Sequence, residues 1–81
     1  MTVRVLAFAR LRELLGFGER AVGIADGATA EVLWSQLAHG APQLAALRAS
    51  TRFACNGALI EGTAVLREGD ELALLPPVGG G

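Results

Sequence analysis

The order in which helix and strand signals fall along the chain constrains its fold more than any other feature. Both helical segments are spent before residue 50, and three strand signals then follow one another to the end. Residues 2–9 place Val3, Val5 and Ala7 on one parity and Leu6 and Phe8 on the other, so a strand there is apolar on both faces and belongs inside a sheet. Residues 10–15 set Leu11, Leu14 and Leu15 at helical spacing and end at Gly16 and Gly18, which predicts a short helix. Residues 19–24 alternate, with Val22 and Ile24 on one face, and close on the turn dipeptide Asp26-Gly27, the pattern of a second strand. Thr29 then offers an N-cap, Glu31 sits in the first turn, and Ala30, Leu33, Trp34, Leu37 and Ala38 recur at i, i+3, i+4, i+7 and i+8, which predicts the main amphipathic helix. Trp34 and Leu37 are assigned to its core face. Gly40 occupies the place of a C′ glycine, and Pro42 opens a short helical turn pinned by Leu44 and Leu47. Residues 52–56 and 58–60 flank Asn56-Gly57, a hairpin dipeptide. Arg67-Glu68-Gly69-Asp70 makes another turn before the last strand, 71–75, with Leu72 and Leu74 inward and Leu75 on the opposite face.

Strands at the end of a βαβαβββ order forbid a doubly wound sheet, so the chain reads as α+β: a mixed sheet of about five strands with helices packed on one face, the β-grasp arrangement. Residues 1–75 form this domain and residues 76–81 an extended, flexible tail. With 52% of its 81 residues hydrophobic, and only about 60–65% of the unfolded surface buried at this size, the domain is expected to leave apolar surface outside. Abundant alanine also raises that percentage without making a sticky patch. The uncovered sheet face is where surplus apolar groups belong, and parity selects Phe8, Leu59 and Leu75 as partner-binding candidates. A net charge of -1 without an arginine-dense run offers no footprint for nucleic acid. No apolar stretch approaches the roughly 20 residues of a membrane span, and the expected location is the cytoplasm. One cysteine, Cys55, and one histidine, His39, make neither a disulfide nor a structural zinc site.

The chemistry lies at the end of the chain. Pro76-Pro77 removes two backbone donors and stops strand pairing. Val78, Gly79, Gly80 and Gly81 reach at most about 14 Å beyond it, and a terminal Gly-Gly can thread a slot closed to any other residue. The reactive group is then the α-carboxylate of Gly81, anionic at neutral pH with an ordinary pKa of about 3.5, and a poor acyl electrophile until its oxygen becomes a leaving group, for instance by adenylation. Gly16 and Gly18 precede Glu19, and nothing resembles a phosphate-binding loop, so activation must come from a partner. A frayed or idle terminus is the alternative. The chain would then be a non-covalent β-grasp interaction module.

Over essentially its whole length the sequence resembles the ubiquitin-like sulfur carriers that form the small subunit of molybdopterin synthase. The resemblance rests on Ala9-Arg10-Leu11-Arg12-Glu13-Leu14, Asn56, Glu68-Gly69-Asp70-Glu71 and, above all, Pro76-Pro77-Val78-Gly79-Gly80-Gly81. It implies that Gly81 is adenylated by an E1-like enzyme using ATP, converted to a thiocarboxylate, and inserted into the large synthase subunit. There it donates sulfur to cyclic pyranopterin monophosphate, two donations per product. It implies a non-catalytic, sulfur-donating subunit of a heterotetrameric sulfurtransferase, with no permanently bound cofactor. Gly79 departs from the family, which usually has a small or polar residue there, and a triple-glycine end is common in the related thiamine-pathway carriers. Those generally lack the Pro-Pro pair. Arg12, and Arg10 beside it, stand where the family contacts its partners, although solvated surface suits them as well.

The remaining polar residues have simpler readings. Cys55 has no cationic neighbour in sequence to lower its pKa and reads as structural. His39 suits the C-terminal end of the main helix, and Glu68, Asp70 and Glu71 read as turn residues. All seven basic residues are arginine. Absence of lysine would suppress self-acylation by an activated terminus, but a GC-rich coding sequence accounts for it more simply.

Overall fold

The computed structural model describes residues 1–77; the tail positions Val78, Gly79, Gly80 and Gly81 lie outside the described residues. Along the chain come β1 (Thr2–Ala7), α1 (Ala9–Leu15), β2 (Glu19–Gly23), α2 (Ala30–Gly40), a 3₁₀ segment (Pro42–Ser50), β3 (Arg52–Cys55), β4 (Ala58–Ile60) and β5 (Glu71–Leu75). The strands form one sheet in the order β2-β1-β5-β3-β4, with β1 and β5 parallel and the other neighbours antiparallel. The doubly apolar first strand and the last strand thus lie side by side at the centre of the sheet.

Register decides which face is covered. Val5 pairs with Leu72, Ala7 with Leu74, and Leu74 with Phe53, so these side chains share one face. They are buried there against Leu11 of α1, Leu33 and Trp34 of α2, Leu44 of the 3₁₀ segment and Leu66. Burying each such leucine contributes about 1.5–3 kcal/mol relative to exposure. Trp34 meets the edge of Phe53 with ring centroids 6.1 Å apart, an edge-to-face arrangement favoured by the ring quadrupoles.

The start of α2 shows why the irregular stretch before β5 is held in place. Thr29 Oγ1 accepts from the Val32 N–H at 3.2 Å, as the N-cap reading requires. The Ala30 and Glu31 N–H groups donate to the carbonyls of Ala64 and Gly62 at 3.1 and 2.9 Å, so the otherwise orphaned first-turn donors are satisfied by that loop. Glu31 also holds Arg48 in a forked pair, with its Oε1 2.7 Å from Nη2 and its Oε2 2.8 Å from Nε, while Arg48 Nη1 donates to the Thr51 carbonyl and the guanidinium lies 4.4 Å over the Phe53 ring. The hydrogen bonds from Arg48 hold the Glu31 carboxyl below the usual carboxylate range.

Several element boundaries shift by a residue or two from the sequence reading, and two of the shifts have a direct local cause. The first strand stops at Ala7: Phe8 is the extended N-cap of α1, and Ala9 takes a positive φ of 48° that turns the chain out of the sheet. Gly40 is the last helical residue rather than a left-handed C′ glycine; the helix ends because Ala41, which precedes Pro42, leaves helical geometry at φ -146° and ψ 79°. Proline disfavours helical geometry in the residue before it.

Candidate functional site

The uncovered sheet face carries a continuous apolar row. Leu6 pairs with Ala73, Ala73 with Ala54, and Ala54 with Leu59, placing these four residues side by side across β1, β5, β3 and β4. Leu59 is 65% exposed and Phe8 44%. Leu75 faces the same way but is only half-exposed, because its strand lies inside the sheet. Leu6 shares the parity of Phe8 in the sequence and joins the row through its pairing with Ala73. Ala54 and Ala73 gave no signal, since alanine serves equally as core filler.

The two arginines of the family-like motif behave differently. Arg10 pairs with Glu13 one turn on, at 3.3 Å with both side chains exposed, a contact of small energetic weight. Arg12 instead reaches back to Gly18, where an added Cβ would meet its Cζ at 3.2 Å. Leu6, Ala7, Phe8, Arg12, Gly18 and Glu19 line one depression of about 420 Å³ at this edge of the apolar row. Phe8, Leu59 and Leu75 therefore share a face, with Arg12 at its margin.

The tail leaves from the end of the central strand β5. Pro76 is half-buried and Pro77 exposed, and Ala7, beside which Phe8 and α1 begin, pairs with Leu74. The root of the tail is thus next to Phe8 and Arg52, the latter paired with Leu75. The sites assigned to Val78, Gly79, Gly80 and Gly81 lie outside the described residues.

At the opposite end of the sheet a polar bridge fixes the hairpin. Asn56 and Gly57 take φ of 50° and 88°, as a tight hairpin turn requires. Asn56 Nδ2 donates to Asp70 Oδ1 at 3.0 Å, and its Oδ1 accepts from the Glu71 N–H at 2.9 Å. Asp70 Oδ2 accepts from the Arg67 N–H at 2.8 Å, and Glu68 accepts from the Thr2 N–H at 2.9 Å. The hydrogen bond from Asn56, and then that from Arg67, lower the Asp70 pKa. The Asn56–Asp70 bridge joins two turns that stand apart in the sequence. Burial, followed by the neighbouring Asp70, pushes the Cys55 thiol pKa up, the opposite of what a sulfur-relay thiol needs. His39 is exposed, with Nδ1 2.9 Å from the Ser35 carbonyl. Among the described residues no group of three or more His, Cys, Asp and Glu could hold a metal ion, and no helix is long and apolar enough to cross a membrane.

A mixed five-stranded sheet with helices on one face, an apolar row across the opposite face and a central last strand followed by Pro76-Pro77 defines a ubiquitin-like β-grasp protein. Comparison with known proteins narrows this. The model of the ThiS family matches residues 5–81. A molybdopterin synthase sulfur carrier subunit of Chlamydomonas reinhardtii is 35% identical over 83 residues, covering all of both chains. A Pyrococcus furiosus structure described as molybdopterin converting factor subunit 1 superposes with TM-score 0.86 at 26% identity, over 96% of this chain and 99% of that one. The small archaeal modifier protein 1 of Haloferax volcanii gives 0.83 at 27%, over 95% and 98%. The chain belongs to the ThiS family.

Proposed function

We propose that this chain is the sulfur carrier subunit of a molybdopterin synthase and that its working group is the α-carboxylate of Gly81. The observation that carries this reading is the full-length relation to a curated sulfur carrier subunit. The fold supports it by ending a rigid central strand at Leu75 and following it with Pro76-Pro77, so that the body acts as a handle for the terminus.

An E1-like enzyme would convert the carboxylate to an acyl-adenylate, with pyrophosphate leaving ATP. A persulfide sulfur then attacks the carbonyl and AMP leaves; a second thiol attacks the outer sulfur of the resulting acyl disulfide, so that a disulfide forms between the two thiol sulfurs and the thiocarboxylate leaves. This chain supplies no acid, base or cofactor-holding group. It presents the terminus through Pro76, Pro77, Val78, Gly79 and Gly80, and docks through Phe8, Arg12, Leu59 and Leu75. The large synthase subunit binds cyclic pyranopterin monophosphate and receives the sulfur. Neither nucleic acid nor a membrane is a partner, and the site of action is the cytoplasm.

Intact mass spectrometry after incubation with the activating enzyme, ATP and a persulfide donor tests the reading. One terminal oxygen should be replaced by sulfur in the full chain and not in a chain whose Gly81 carboxylate is a primary amide. An unchanged mass with a competent enzyme rejects it. The triple-glycine end favours a second reading, a thiamine-pathway carrier. It predicts that the thiocarboxylate is consumed by a thiazole-forming acceptor and ignored by the large synthase subunit.

A further inference from the structure

A second depression, of about 320 Å³, opens on the other edge of the apolar row, between the end of α2's companion 3₁₀ segment and the β3–β4 hairpin. Its lining includes Arg52, Phe53, Leu59, Ile60 and Glu61. The half of it nearest Arg48 is already spoken for: that guanidinium is held by Glu31 and Thr51. Arg52 is different. It is exposed, and among the described residues it has neither an ion pair nor a side-chain hydrogen bond; Glu61, which shares the depression, is not within ion-pair distance of it.

The register fixes where this free guanidinium sits. Arg52 pairs with Leu75 across β3 and β5, so both project from the uncovered face, next to the root of the tail. Its depression is continuous with the apolar row through Leu59, just as the Arg12 depression is continuous with it through Leu6. The face therefore has an apolar centre with a cation in a hollow on each side. A docking protein that covers the centre desolvates both margins, and a guanidinium fork there is matched by a carboxylate, which it can bind through two parallel N–H groups.

We propose that Arg52 and its depression receive an acidic side chain, Asp or Glu, of the large synthase subunit, fixing the orientation in which the tail enters that subunit. The inference rests on the proposed function for the identity of the partner. The exposed guanidinium beside the root of the tail and the continuity of its depression with the apolar row carry the rest. A cation at the rim of an interface acts mainly on the association rate, in a salt-dependent way.

The test is stopped-flow association of the full chain with the large subunit at low and at physiological ionic strength, for the unmutated chain, Arg52→Glu, Arg52→Lys and a chain with Gly81 as its primary amide, with and without Arg52→Glu. Charge reversal should slow association about 10-fold at low salt, with the difference shrinking as salt rises. Arg52→Lys should recover part of the rate, because a point charge remains while the fork is lost. Circular dichroism of each variant guards against misfolding. Equal rates for Arg52→Glu and the unmutated chain would overturn the proposal. So would an effect that vanishes in the amide background, which would assign Arg52 to this chain's own carboxylate. Terminal sulfur incorporation measured in parallel separates the two failures: without it in the unmutated chain the functional reading falls, whereas normal incorporation with unaltered association removes only the Arg52 site.

Discussion

Replacing Asn56 separates two contributions that the structure places in one residue. Its side chain makes two hydrogen bonds, to Asp70 and from the Glu71 N–H, while its backbone sits at φ 50°. Taking the exposed end of the range, the two bonds together contribute about 1–2 kcal/mol. Holding alanine in the left-handed region costs about 1 kcal/mol or more, whereas glycine takes it without steric cost. Asn56→Gly should therefore destabilise by about 1–2 kcal/mol and Asn56→Ala by about 2–3 kcal/mol. For a domain of this size that corresponds to a melting temperature lower by roughly 4–8 °C per kcal/mol. Urea unfolding of the three proteins, with a common m-value, reads the difference directly. The pH dependence supplies an independent check. Asp70 has a lowered native pKa, so the stability it contributes is present above its unfolded pKa of about 3.9 and is lost as pH falls through the lower native value. Asn56→Gly should flatten that acid slope. Equal stabilities for the glycine and alanine variants would refute the backbone part of the reasoning, and an Asn56→Gly protein as stable as the parent, with an unchanged acid slope, would refute the bridge.

Other consequences are simpler. Thr29→Ala removes the cap on the Val32 N–H and should cost about 1 kcal/mol by thermal denaturation. Leu44→Ala, at a fully buried position beneath the 3₁₀ segment, should cost about 2–5 kcal/mol, and loss of the cooperative transition is expected at the upper end. Leu59→Asp lies on the uncovered face at 65% exposure; its melting temperature should stay near the parent's while binding to the large subunit, followed by calorimetry, weakens. Cys55, with a raised thiol pKa, should react with iodoacetamide at neutral pH more slowly than a free cysteine peptide, and addition of urea should abolish that protection.

Much of the fold was written in local signals. The strand alternation, the Thr29 cap, the Asn56-Gly57 turn and the inward Leu72 and Leu74 each follow from residue spacing, because each depends on neighbours in the chain. The features that escaped depend on tertiary register. Ala54 and Ala73 join the exposed row only because β3 and β5 pair as they do. The loop around Gly62 and Ala64 has no periodicity, yet it satisfies the first donors of α2. Gly40 resembled a helix stop, but Pro42 two residues on sets the end through Ala41. Phe8 kept its expected parity even though the strand had ended, since the extended N-cap conformation continues the direction of β1. Arg10 and Arg12 share one short helix and one charge, and the fold separates them, Arg10 pairing with Glu13 and Arg12 approaching Gly18.

The role of the terminal carboxylate is tested most directly by semisynthesis of the chain with Gly81 as its primary amide. In a reconstituted system holding the activating enzyme, ATP, a sulfur donor, the large subunit and cyclic pyranopterin monophosphate, the amide should fold and bind the large subunit yet yield no dithiolene product. Undiminished product from the amide would contradict the account.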